Sequence, residues 1–144
     1  MRLLESSSPQ KLTFDDPNSR NASVRRVRGR GRCVFARRKI AAGELIELAP
    51  VIVIPKKQWP SVKKTILEDY AFDWGRNDEL SVIALGYVSI YAHSYSPNAK
   101  LEQLTNEQIM EVTALKAIEP GQEITINYNG DPGNRDDLWF KVRR

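Results

Sequence analysis

The sequence is short of the residues on which many enzymes and scaffolds rely: it holds one cysteine, Cys33, and one histidine, His93. A lone cysteine cannot close an internal disulfide, and with a single histidine beside it the usual Cys/His zinc site cannot be assembled, so no metal site is expected. H-E-x-x-H and G-x-S-x-G are both absent, which argues against zinc proteases and serine hydrolases. There is no Walker loop, and Gly29-Arg30-Gly31 lacks the third glycine of a dinucleotide fingerprint, so nucleotide hydrolysis is disfavoured. Long apolar runs are missing too. The longest, Ala49-Pro50-Val51-Ile52-Val53-Ile54, falls far short of the roughly 20 residues of a membrane helix. Met1-Arg2-Leu3-Leu4 runs straight into Glu5 and serines, without the apolar core of a secretory signal, and an intracellular setting without membrane partners is expected. The sequon Asn21-Ala22-Ser23 then reads as coincidence.

What is present describes one globular domain: 144 residues, 41% hydrophobic and 28% charged, with no repeat of fixed period. The net charge of +4 is unevenly spread. Residues 1–40 carry eleven Lys/Arg against three Asp/Glu, and residues 41–144 carry eleven against fifteen, so the two parts stand at +8 and −4. The run Arg25-Arg26-Val27-Arg28-Gly29-Arg30-Gly31-Arg32 suits weak phosphate contact, or equally a solvated strand face, since no aromatic residue for base stacking interrupts it. The acidic remainder suits a basic partner such as a lysine-rich peptide.

Residues 1–22, rich in Ser, Pro, Asn and Asp, read as a flexible extension, and the domain is expected to span 23–130, followed by a C-terminal segment, 131–144. Strands are expected at Val24 to Arg28, Cys33 to Ala36, Glu44 to Leu48 and Val51 to Ile54, the last bracketed by Pro50 and Pro55. Trp59, Val62, Ile66 and Tyr70 recur at helical spacing, which predicts one helix capped by Ser61. Leu80 to Tyr91 is ambiguous, because Gly86 and the β-branched Val82, Ile83, Val88 and Ile90 pull between helix and buried strand. Lys100 to Leu104 and Ile109 to Leu115 predict a hairpin, Glu119-Pro120-Gly121-Gln122 a type II turn, and Ile124 to Tyr128 a closing strand.

Four segments occur in a telling order: Gly31-Arg32-Cys33-Val34-Phe35-Ala36; Ala42-Gly43-Glu44-Leu45-Ile46; His93-Ser94-Tyr95-Ser96-Pro97-Asn98-Ala99; and Ile118-Glu119-Pro120-Gly121-Gln122-Glu123-Ile124-Thr125-Ile126-Asn127-Tyr128. Together they resemble a SET domain, the protein-lysine methyltransferase fold. Leu67-Glu68-Asp69-Tyr70-Ala71-Phe72 and Ala84-Leu85-Gly86 resemble the minimal virus-encoded and bacterial members. The resemblance implies an α+β, mostly β fold of small curled sheets, β-clip-like, with a pseudoknot threaded near the active site.

It also implies transfer of a methyl group from S-adenosylmethionine to a lysine in a basic protein tail, histone-like or ribosomal. A lysine amine, with a pKa of about 10.4, must be neutral to attack, so such a site needs a narrow apolar channel. By motif position Tyr128 is the catalytic residue, and Tyr70 and Tyr91 line the lysine channel with it. Gly31, Arg32, Cys33 and Val34 match the cofactor loop, Ala92 and His93 lie beside the adenine, and Trp139 or Phe140 covers it. Glu123 is expected to orient backbone or His93. The compartment implied is the cytoplasm, or a host nucleus for a viral or effector protein, and a homodimer is left open.

Two positions depart from the family pattern. Ala92 stands where the motif carries Asn, and a lost hydrogen bond of that kind weakens cofactor binding by about tenfold to a hundredfold. Cys33 replaces the second glycine of the loop, which requires a negative φ there. The alternative reading is therefore a catalytically weakened SET-like module that binds a peptide in its groove and nucleic acid along Arg25 to Arg32.

Overall fold

The computed structural model describes residues 21–138. Ala22–Val27 (β1) and Gly31–Ala36 (β2) form an antiparallel hairpin with Val24 opposite Val34 and Arg26 opposite Arg32. The Arg30 amide donates to the Val27 carbonyl at 3.1 Å, and Gly29 and Gly31 take φ of 79° and 81°. Residues with a Cβ rarely enter that region, which is why glycines flank Arg30 in this turn. Ala22 is buried, and Asn21 Nδ2 donates to the Ile46 carbonyl at 2.9 Å, so the boundary expected after residue 22 falls inside β1.

Leu45–Ile54 (β3) is one ten-residue strand, not two strands parted by Pro50. Its first half pairs with Ile109–Ala114 (β8) and its second with Leu80–Ala84 (β5). Pro50 sits at the changeover, where its carbonyl accepts from the Leu85 amide at 2.9 Å just past the end of β5. The donor that proline lacks is thus missing at the margin of a ladder, where it costs least. With Ala71–Trp74 (β4) and Ala99–Leu104 (β7), these strands form an antiparallel sheet in the order β4-β5-β3-β8-β7.

The single helix expected before Tyr70 is two short pieces, a helical turn at Trp59–Val62 (α1) and a 3-10 turn at Ile66–Tyr70. Thr65, not Ser61, caps the second, its Oγ1 accepting from the Leu67 amide at 3.2 Å. Neither piece buries a residue, and Ile66 is 70% exposed, so the apolar spacing has no core face to support a longer helix. The ambiguity at 80–91 resolves into both options in turn. The β-branched run makes β5, Gly86 turns the chain at φ 82°, and a 3-10 turn follows at Val88–Ile90.

Ala92–His93 (β6) runs parallel to Thr125–Ile126 (β9), with His93 opposite Ile126. This final strand is shorter than expected, yet it is firmly held. Ile124 and Ile126 are fully buried, each contributing about 1.5–3 kcal/mol. Buried Asn98 donates to the Glu123 carbonyl at 2.8 Å and accepts from the Thr125 amide at 2.9 Å, which ties the His93 segment to β9. The architecture is the α+β, mostly β arrangement of small curled sheets that the sequence predicts. Among the described residues no helix is long and apolar enough to cross a membrane.

Candidate active site

Past β9 the chain turns sharply. Asn127 is buried and donates to the carbonyls of Asn134 and Pro132, at 2.7 and 3.4 Å, while Asn129 Nδ2 and the Tyr95 hydroxyl both donate to the Asp136 carbonyl, at 2.8 and 3.0 Å. The segment after β9 is thereby folded back over the junction of β6 and β9, and Tyr128 lies at the centre of that junction.

Tyr128 is held at both ends. Its amide donates to His93 Nδ1 at 3.0 Å, and its hydroxyl donates to the Tyr91 carbonyl at 2.5 Å. Burial, with Cys33 and Glu123 adding in that order, pushes the phenol up to about 12, so it stays protonated at neutral pH. Because His93 Nδ1 accepts a proton donor, the neutral ring carries its hydrogen on Nε2. Nε2 is buried with no hydrogen-bond partner among the described residues. Burial also lowers the imidazole pKa. The ring meets Tyr95 and Tyr128 edge-on, at centroid distances of 4.4 and 5.3 Å.

One face of Tyr128 opens on a cavity of about 510 Å³. Tyr70 and Phe72 supply aromatic wall, and Glu68, Asp69 and Asp73 bring carboxylates to it. Tyr70 and Tyr128 therefore share one cavity. Tyr91 does not line it: the ring is buried in the core and its hydroxyl donates to Glu47 Oε2 at 2.7 Å. The 3-10 turn before Tyr91 aims the side chain inward, so only its carbonyl reaches Tyr128. Burial and the Glu47 carboxylate push the Tyr91 phenol well above its ordinary value.

The cofactor-loop residues approach Tyr128 from elsewhere. Gly31 sits at φ 81° with open space around its Cα, Arg32 is exposed, and Cys33 and Val34 are buried in β2. Cys33 is not among the residues with positive φ, so its Cβ is tolerated where the family pattern has glycine. Burial, followed by Glu123, pushes the Cys33 thiol up, and it behaves as a packed side chain with no thiolate character. Glu123 does not orient His93. Its carboxylate is forked by Arg30 at 2.8 and 3.1 Å, clamping the hairpin turn to the strand that precedes Tyr128. Ala92 is half-buried opposite Thr125 and offers no polar side chain to the site. Trp139 and Phe140 lie outside the described residues.

Three residues in or beside this site have no site role from motif position. Glu47 stands at an inward position of the alternating strand Leu45–Ile54, a detectable signal, since a carboxylate there must find buried partners. Tyr95 and Arg30 are visible only once the chain is folded, because their partners lie 41 and 93 residues away.

The buried Nε2–H of His93, unpartnered among the described residues, gives a donor beside Tyr128 that fits a polar cofactor with hydrogen-bond acceptors, and the backbone at Gly31 is open. Residues 31–129 match the family model of the SET domain. Over 119 residues the chain is 28% identical to the "Histone-lysine N-methyltransferase, H3 lysine-37 specific" of Schizosaccharomyces pombe, spanning 82% of this chain and 76% of that protein. A Plasmodium falciparum crystal structure, described as a candidate histone methyltransferase, is similar with a TM-score of 0.62 at 25% identity, covering 85% of this chain and 98% of that one.

Proposed function

This chain belongs to the SET-domain family, and from that membership we propose that it methylates a lysine side chain in a basic protein tail, histone-like or ribosomal, using S-adenosylmethionine. The observation that carries the reading is the Tyr128 hydroxyl, set between a carboxylate-bearing aromatic cavity and the Gly31–Val34 strand. The histone-lysine methyltransferase of S. pombe, similar over most of this chain, supports the substrate class.

Each residue then has a definite task. Glu68, Asp69 and Asp73 draw a cationic tail to the cavity, and the faces of Tyr70 and Phe72 hold the aliphatic stem of its lysine. An apolar wall disfavours the ammonium, so the amine sheds its proton to solvent before it attacks. Tyr128 keeps its own proton on the phenol oxygen, committed to the Tyr91 carbonyl, and that oxygen faces the reacting methyl as an acceptor of weak hydrogen bonds. Gly31, Arg32, Cys33, Val34, Ala92 and His93 would hold S-adenosylmethionine, with His93 Nε2 as a ready donor. When bound, that cofactor supplies a methyl group activated by a sulfonium.

The test is transfer of radiolabelled methyl from S-adenosylmethionine to a pool of basic proteins, with hydrolysis to identify the labelled residue. Label on lysine is expected. If neither this chain nor its Ala92→Asn variant labels any protein, and neither binds the cofactor in calorimetry, the reading fails.

A further inference from the structure

We propose that Arg26 and Arg28 of the β1–β2 hairpin form a docking surface for the phosphate backbone of duplex nucleic acid, beside the cofactor loop that begins at Gly31. From Asn21 to Ala36 the chain carries five arginines and no acidic residue. Arg26 and Arg32 stand directly opposite each other across the hairpin, and Arg28 projects from its turn. All three are exposed, and none pairs with a carboxylate among the described residues. Like charges opposed across two strands destabilise them unless an anion lies between.

The other two arginines are engaged and stiffen the support. Arg30 is forked onto Glu123 at 2.8 and 3.1 Å, and the Arg25 guanidinium stacks 5.2 Å from the Phe35 ring centroid. The hairpin is thus fixed at its turn and along its length while Arg26 and Arg28 remain available, Arg32 belonging to the cofactor loop. Guanidinium forks match phosphate oxygens, and the exposed residues of the hairpin are only Arg and Gly. A protein partner would need apolar anchors at the centre of its interface, and a single strand would need aromatic platforms; this surface presents neither. Duplex phosphate requires only fixed cations. The arrangement also suits a basic substrate tail, since the hairpin attracts the polyanion with which such tails associate while the carboxylate-bearing cavity takes the tail itself.

The experiment measures binding of the full chain to a short labelled DNA duplex of arbitrary sequence across a salt series. Two phosphate contacts predict a log–log salt slope of about −1.8, and Arg26→Gln with Arg28→Gln brings it close to zero. Transfer of methyl to a free peptide should be unchanged in that variant. If the double variant melts early, Arg28→Gln alone, in an exposed turn, should still lower the slope by about 0.9. Slopes that do not differ between wild type and variant overturn the proposal. So does displacement of the duplex by polyglutamate at equal charge, which would assign the hairpin to an acidic protein.

Discussion

The hydroxyl of Tyr128 donates to the backbone carbonyl of Tyr91 at 2.5 Å, while the Tyr91 side chain turns the other way, into the core. Two tyrosines that motif position would place in one wall therefore have different duties, one presenting a phenol and the other a carbonyl that aims it. Tyr128→Phe removes the hydroxyl and keeps the backbone bond to His93 Nδ1. Turnover is expected to fall about 100-fold or more, the cost of losing one preorganised polar group at a transition state. Cofactor affinity should barely change and stability should fall by only about 0.5–1.5 kcal/mol, the net worth of the lost bond to the Tyr91 carbonyl, and steady-state kinetics beside calorimetry would separate the effects. Turnover equal to wild type would strip the phenol of its role.

Behind Tyr91 stands Glu47, 2% exposed, accepting from the Tyr91 hydroxyl and the Tyr87 amide at 2.7 Å each. Glu47→Leu leaves both donors without an acceptor in the interior, a loss of about 2–5 kcal/mol in denaturant unfolding. Glu47→Gln keeps an amide oxygen and should lose clearly less. Equal losses for the two variants would mean that side-chain volume, and not these bonds, sets the stability there.

His93 is the only histidine, so its imidazole gives a single, self-assigning NMR titration. Burial disfavours the imidazolium, which places the native pKa below the ordinary 6.5. The unfolded chain then binds the proton more readily, so the stability contributed is complete above about pH 6.5 and is lost as pH falls through the native value. Protonation also puts a hydrogen on Nδ1, which no longer accepts from the Tyr128 amide. Cofactor binding should weaken on the acid side over the same range. A native midpoint at or above 6.5 would contradict this account.

Much of this arrangement is legible in the sequence, for reasons that residues make plain. Period-two alternation announces the strands, Gly121 with Pro120 marks a turn that indeed closes from Gln122 to the Glu119 carbonyl at 3.0 Å, and the ordered motifs bring Tyr70 and Tyr128 to one cavity. Local pattern fails where a decision belongs to the tertiary structure. Pro50 reads as a strand break but falls where β3 changes partners, and the apolar spacing before Tyr70 reads as a helix that finds nothing to bury it. The direction of Tyr91 depends on a 3-10 turn and on a carboxylate 44 residues away. No window of sequence contains both.

Ala92 offers the sharpest test of how the cofactor side is built. The SET pattern has an amide there, and this chain has a half-buried methyl group opposite Thr125. The strand crossing is nonetheless tied by Asn98, through the Glu123 carbonyl and the Thr125 amide. The missing side chain should therefore be felt in ligand binding more than in folding. Ala92→Asn is expected to tighten S-adenosylmethionine by about tenfold to a hundredfold, with melting nearly unchanged. Calorimetric titration reads the first quantity and a thermal scan the second. A gain in melting temperature with no gain in affinity would place the added amide in the crossing instead, as a second staple beside Asn98, and would leave the cofactor to the Gly31–Val34 loop and His93.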